Sequence, residues 1–213
     1  VRALCDEMRH SVGREAIITI DQEGGRVARL KKPHWREWLP ALDQVAQVSP
    51  GNRRQTMVLR YRLIAHELRE IGIDVNCAPM LDIPQTNTHE IIVNRCYGHD
   101  AGTVSEMGRA ASEGPLGRGV LPIIKHIPGH GRTSLDSHKD LPRVSDDLET
   151  LQKNDFIPFA RLADLPLAMT AHIVYDALDP ENCATFSKAA VNYIRHDIGF
   201  NGLLMTDDLS MHA

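Results

Sequence analysis

Five times along the chain a short apolar run is followed by a polar loop and then by a helix-like segment. The runs are residues 16–20, 73–78, 120–124, 167–170 and 202–206. Each is brief and apolar, with β-branched residues in most of them, as buried strands are. Strands that alternate with helices run parallel, because a crossover returns the chain to the same end of the sheet. An α/β fold is therefore expected. No repeat of sequence accompanies the repeat of pattern.

Each run also ends in polar or ionisable residues: Asp21, then Cys77 to Asp82, Lys125 with His126, His172, and Asp207. In a (β/α)8 barrel such strand ends converge on one face. In a doubly wound sheet they line an edge crevice. No Gly-x-Gly-x-x-Gly and no P-loop follows any strand, so the barrel is the expected architecture. Five strands do not close one. The chain is thus expected to be an incomplete excerpt, lacking the first strand and the last elements, with residues 1–213 in a single partial domain.

The intervening segments carry helix signals. Residues 53–70 show a stripe at Val58, Leu59, Arg62 (by its stem), Leu63, Ile64 and Leu68, stopped by Gly72. Residues 2–13 and 103–113 also read as helical. Ser187 is placed to cap a helix that runs to Ile198 and stops at Gly199. Residues 146–163 read as a helix in two pieces, interrupted at Pro158, with Asp146 and Glu149 as a capping pair. Residues 31–50 and 87–100 read as irregular.

Composition narrows the partners. Net charge is -4 with both signs interspersed, which excludes a nucleic-acid surface or an acidic tail. No apolar run approaches the length of a membrane span, and no signal peptide is expected at Val1. Cys5, Cys77, Cys96 and Cys183 are scattered, pointing to free thiols in a reducing compartment rather than a disulfide framework or zinc knuckle. A cytoplasmic location is expected.

The densest chemistry is in Lys125 to His138, KHIPGHGRTSLDSH. A strand delivers Lys125 and His126, glycines break regular structure, and Asp136 and His138 follow two residues apart. A carboxylate beside an imidazole fixes its tautomer and raises its pKa, making a proton donor near neutral pH. A bland surface turn would explain an isolated pair. Its place after a strand that presents Lys125 and His126 favours the chemical reading. Two further features stay open. Residues 21–26, DQEGGR, read equally as a polar turn or a ligand site, and Asp207 reads equally as a catalytic carboxylate or a helix cap. Asp208 is the expected cap. His126, His130, Asp136 and His138 have metal-ligand types, but their spacing matches no compact motif and Lys125 beside them repels a cation.

Together these residues resemble glycoside hydrolase family 3. The resemblance rests on Asp21-Gln-Glu-Gly-Gly-Arg-Val, Asn76-Cys-Ala-Pro, Asn94-Arg95, Lys125-His-Ile-Pro-Gly-His-Gly with Asp136-Ser-His138, and Thr206-Asp-Asp-Leu-Ser-Met. It is narrowest toward the bacterial β-N-acetylhexosaminidases of peptidoglycan recycling. It implies a TIM-type barrel that removes terminal N-acetyl-β-D-glucosamine with retention of configuration. Asp207 would be the nucleophile. His138 would be the general acid/base with Asp136 as its partner, carried over the leaving-group oxygen by the glycine-broken loop. Asp21, Arg29, Arg95, Lys125 and His126 would hold the sugar hydroxyls and acetamido group. Against the family pattern, the chain starts just before the second strand and ends just after the nucleophile. No cofactor and no metal are implied. The expected partner is a small carbohydrate, a muropeptide containing N-acetylglucosamine, with no nucleic acid, no membrane and a monomeric state. Two alternatives accompany this reading: a metal-dependent hydrolase using His126, His130 and His138, and a sugar-binding module without catalysis.

Overall fold

A computed structural model of the protein describes residues 1–133 and 141–210. In chain order the elements are α1 (Arg2–Val12), β1 (Thr19–Ile20), β2 (Gln22–Gly24), β3 (Val27–Ala28), α2 (Ala41–Gln47), α3 (Pro50–Glu70), β4 (Val75–Asn76) and α4 (Glu90–Val93). They continue with α5 (Ala101–Leu116), β5 (Leu121–Ile127), β6 (Arg143–Val144), α6 (Leu148–Lys153), α7 (Ile157–Arg161), β7 (Leu167–Thr170), β8 (Val174–Tyr175), α8 (Lys188–His196) and β9 (Leu203–Met205).

The main sheet has the order β1-β4-β5-β7-β9, and every pairing in it is parallel. Spatial order equals chain order. Successive right-handed crossovers therefore stack their helices on one side, whereas a doubly wound sheet would reverse direction at a switch point. The sheet is an arc of a TIM-type barrel, as the alternation of elements predicts. Among the described residues β1 and β9 form its edges. The short antiparallel pair β2–β3 sits in the loop after the first strand of the arc, and β6 and β8 pair in parallel from the loops after the third and fourth strands.

Two apolar clusters cement the arc to its helices. One joins Tyr61, Ile64 and Leu68 of α3 with Met107, Ala110 and Ala111 of α5. The other joins Ile124 and Ala168 with Phe159, Leu162, Ile194 and Phe200. Helices α3 and α5 touch through Gly114, where an added Cβ would lie 2.6 Å from the carbonyl oxygen of Val58 and 2.8 Å from the nitrogen of Arg62. Only a residue without a side chain lets two helix backbones approach so closely.

Several local expectations are corrected. The inner face of α3 is Met57, Arg60, Tyr61, Ile64, Ala65 and Leu68, while Leu59 and Leu63 face solvent. Arg60 can be buried because Leu39 O, Gln44 Oε1 and Glu23 O accept from it, and Tyr61 also donates to Glu23 O. Hydrogen-bonded polar side chains thus take positions that an apolar count assigns to leucine. Helices α2 and α4 form within segments read as irregular. Helix α6 is capped by Asp147, whose side chain accepts from Thr150 N at 2.8 Å, not by Asp146. The break between α6 and α7 falls before Pro158, which occupies the first turn of α7, where its missing N–H costs nothing. All four cysteines are free and buried. Among the described residues, no helix is long and apolar enough to cross a membrane.

Candidate active site

The loop after β1 folds straight into the β2–β3 hairpin. Gln22 turns inward and is spent on structure: its N–H donates to Asn76 Oδ1 at 3.0 Å, and its amide oxygen accepts from the N–H of Arg29 and Leu30. Its neighbours Asp21 and Glu23 turn their carboxylates toward the strand ends. Within residues 21–26, Gln22 thus holds the turn, while Asp21 and Glu23 face the charged side chains at the strand ends.

Those carboxylates organise a charge cluster. Lys125 Nζ lies 3.0 Å from Asp21 Oδ1 and 2.7 Å from Glu23 Oε1. Arg95 grips Glu23 with both teeth of its fork, Nε at 2.9 Å and Nη2 at 2.7 Å. Arg29 reaches Asp21 Oδ2 at 3.2 Å from a more exposed position at the rim. Burial opposes the charge on Glu23, but Arg95 and Lys125 outweigh it and hold the carboxyl far below the usual range. Burial likewise opposes the charge on Lys125, and Glu23 and Asp21 together raise its pKa. An ammonium has three donors and a guanidinium five. The two Lys125 contacts leave about one N–H for a ligand, and the Glu23 fork leaves Arg95 about three. Asp21 offers acceptor lone pairs beside them, so donors and acceptors alternate as the hydroxyls of a sugar require.

At the end of β5 the pairing register with β7 shifts between Lys125 and Ile127. Strict alternation would put adjacent side chains on opposite faces; the irregularity lets Lys125 and His126 both reach the site. His126 Nδ1 is 2.7 Å from Asp82 Oδ2, and its Nε2 is 3.8 Å from Asp207 Oδ2. Asp82 is fully buried and also accepts from the backbone N–H of His130 at 2.6 Å. Burial works against the Asp82 anion, but His126 and the His130 N–H hold its pKa low. The His130 ring packs against that of His126, centroids 5.4 Å apart, and bonds Thr133 Oγ1 through Nδ1. Burial, then the nearby His126, push the His130 imidazole down to about 4.

Asp207 follows β9. Its Oδ1 accepts from the N–H of Asp208 at 2.8 Å. Burial raises its pKa less than His126, that N–H, Lys125 and His172 lower it, so the carboxylate stays ionised. Its side chain remains about a quarter exposed, at 27%. Asp208 accepts from Ser210 N at 2.8 Å, a cap-like turn.

Residues 129–133 are fastened one by one. Gly129 O accepts from the Tyr175 hydroxyl, His130 N donates to Asp82, and Gly131 O accepts from Thr88 Oγ1. Arg132 pairs with Asp155 and Asp146, each at 2.8 Å, and Thr133 O accepts from His89 N. Asp136 and His138, the expected acid/base pair, lie outside the described residues.

The structure therefore brings together Asp21, Arg29, Arg95, Lys125, His126 and Asp207. Sequence reasoning missed Glu23 as the hub of the cations and Asp82 as the partner of His126. Their signal was weak: a carboxylate inside an otherwise structural turn, and another between apolar residues 80–83. Among the described residues, no three His, Cys, Asp or Glu side chains are gathered so as to hold a metal.

Known proteins share the sequence pattern and the fold of this chain. Residues 2–213 match the family model for the glycosyl hydrolase family 3 N-terminal domain. A beta-hexosaminidase of Alkalilimnicola ehrlichii is 36% identical over 220 residues, covering 100% of this chain and 62% of the relative. A beta-hexosaminidase of Nitrosomonas eutropha is 32% identical over 202 residues, covering 92% and 57% respectively. The chain thus spans less than two thirds of either relative's length. The crystal structure of NagZ from Neisseria gonorrhoeae in complex with N-trifluoroacetyl-D-glucosamine superposes with a TM-score of 0.89 at 31% identity, covering 98% of this chain and 62% of that one. The chain belongs to glycosyl hydrolase family 3, and its arc of strands is part of that family's N-terminal barrel domain.

Proposed function

We propose that the protein is a retaining β-N-acetylglucosaminidase that works through a covalent glycosyl-enzyme on Asp207. One observation carries the reading: an ionised, partly exposed aspartate at a strand end has Oδ2 3.8 Å from His126, in the field of Lys125. In the first step Asp207 Oδ2 attacks the anomeric carbon. The glycosidic C–O bond breaks, and the departing oxygen takes its electron pair and a proton from His138. In the second step His138 takes a proton from water, the water oxygen attacks the same carbon, and the bond to Asp207 breaks. Two inversions give net retention.

Asp136 orients His138. Asp21, Arg29, Arg95, Lys125 and His126 bind the hydroxyls and acetamido group of the terminal sugar through charged hydrogen bonds. An imidazole as acid/base suits this site, because it does not repel the anionic nucleophile as a second carboxylate would. The names of the relatives support this substrate class, and one family neighbour is recorded with an N-acylated glucosamine. The natural substrate in this reading is a peptidoglycan fragment, N-acetylglucosamine linked to anhydro-muramic acid, cleaved in the cytoplasm during cell-wall recycling.

The test is a slow aryl N-acetyl-β-D-glucosaminide, or a fluorinated analogue, incubated with the full-length protein and followed by peptide mapping. A sugar adduct on Asp207 is expected. Turnover with an adduct on another carboxylate, or with no protein adduct at all, would assign the nucleophile elsewhere, in the second case to the substrate's own acetamido group. Comparing kcat/KM for a disaccharide ending in anhydro-muramic acid with that for chitobiose tests the aglycone.

A further inference from the structure

We propose that His172 orients the nucleophilic carboxylate, acting through the backbone of Asp208; the inference rests on reading Asp207 as the nucleophile. His172 lies two residues past the end of β7 and is buried. Its ring Nε2 lies 3.1 Å from the carbonyl oxygen of Asp208, 36 residues away in the chain. A carbonyl only accepts, so Nε2 carries a proton whichever charge state the ring adopts. The other nitrogen, Nδ1, lies 2.7 Å from Thr185 Oγ1. That hydroxyl is itself braced, 2.9 Å from Thr170 Oγ1 and 3.2 Å from Ala171 O. The ring is thus held at both edges, and its Nε2–H has one direction.

Asp208 is gripped at both ends of its backbone. His172 takes its carbonyl, and its N–H takes Asp207 Oδ1 at 2.8 Å. With Oδ1 engaged, Oδ2 is the oxygen left to face the anomeric carbon. The support matters because β9 contributes only Leu203–Met205 to the sheet, and Asp208, Leu209 and Ser210 are exposed beyond it. Strand pairing ends before the nucleophile; a side chain from the segment just after the neighbouring strand takes over. His172 is accordingly a positioning residue, not a catalytic one.

A merely structural histidine would matter through Thr185 and the fold. The two roles separate by side-chain length. In H172Q the amide nitrogen reaches the place of Nε2 and donates to Asp208 O. In H172N the shorter amide reaches only the place of Nδ1 and keeps Thr185. On the full-length protein with an aryl N-acetyl-β-D-glucosaminide, H172N is expected to lose kcat on the order of 10²-fold, with KM and melting temperature near wild type. H172Q is expected to restore most of it. Equal kcat in both variants, whether unchanged or lowered in step with the melting temperature, overturns the inference. Should H172N not fold, T185V is the second variant: it removes one brace of the ring but leaves the Asp208 contact, so kcat is expected to fall far less than the loss expected of H172N, and a loss as large as that overturns the inference. A wild-type protein that carries the trapped sugar anywhere but on Asp207 sinks the reading of the nucleophile itself. Labelling of Asp207 together with an H172N variant of full activity sinks only the role of His172.

Discussion

Lys125 Nζ and Glu23 Oε1 are 2.7 Å apart, and both side chains are almost sealed from solvent, at 3% and 6% exposure. Glu23 also takes the fork of Arg95, so one carboxylate answers two buried cations. Removing one partner of a buried ion group leaves charge uncompensated and costs roughly 3–5 kcal/mol. Glu23→Gln is therefore expected to lower the unfolding free energy by that order, read as a lower urea midpoint at unchanged m-value, and to raise KM for the sugar as Lys125 and Arg95 lose their set. A midpoint equal to wild type would show that the cluster tolerates the loss through solvent or a shifted partner.

Asp207→Ala is expected to abolish turnover while leaving the melting temperature close to wild type, since the carboxylate is partly exposed. Because its neighbours hold the Asp207 carboxyl below the ordinary aspartate range, the acid limb set by the nucleophile should also fall below that range. A pH profile of kcat/KM checks the second point, and circular dichroism with an activity assay checks the first.

His130 should make the protein acid-sensitive before its carboxylates do. Its ordinary value is 6.5 and its folded value about 4. Between those limits the unfolded chain binds a proton that the folded protein refuses, so stability falls as pH is lowered through the window. The full loss is on the order of 3 kcal/mol. Below the folded value the slope from this residue vanishes. Urea denaturation at several pH values should show the slope, and His130→Gln should flatten it.

Gly131→Ala is expected to destabilise the root of the loop. A Cβ there would overlap the backbone of Ile83, including its carbonyl oxygen, and backbone has nowhere to yield. Overpacking of this kind costs about 1–3 kcal/mol or more. A drop in melting temperature together with a loss of kcat would place the strain at the site; a neutral substitution would mean that residues 129–133 are held less tightly than their contacts imply.

Dialysis against a chelator is expected to leave turnover unchanged. His126 spends Nδ1 on Asp82, His130 spends Nδ1 on Thr133, and the Lys125 ammonium repels a cation placed among them. A rate lost to chelation and restored by zinc would instead support a metal-dependent hydrolase.

The barrel was legible because its determinants are local. Apolar runs at residues 73–78 and 120–124, helix stops such as Gly72 and Gly199, and the Ser187 cap are visible in a few neighbouring letters, and each appears in the fold. Errors arose where a long-range partner overrode a local rule. Leu59 and Leu63 lost the inner face of α3 to Arg60 and Tyr61, because the carbonyl of Glu23 lay within reach of both. Asp146 gave up the helix cap to Asp147 and went to Arg132 instead. The motifs named Asp21, Lys125, His126 and Asp207 as site residues, and the structure gathers all four.

The order and spacing of the chain were enough to determine that polar strand ends would share one face, since parallel strands joined by like-handed crossovers must point the same way. What tertiary structure alone decided is which charge answers which. Glu23 belongs to Arg95, 72 residues along, Asp82 to His126, and His172 to the backbone of Asp208. Burial strengthens those pairings by removing the water that would otherwise screen them, and no local pattern of letters records which distant groups come to share a dry site.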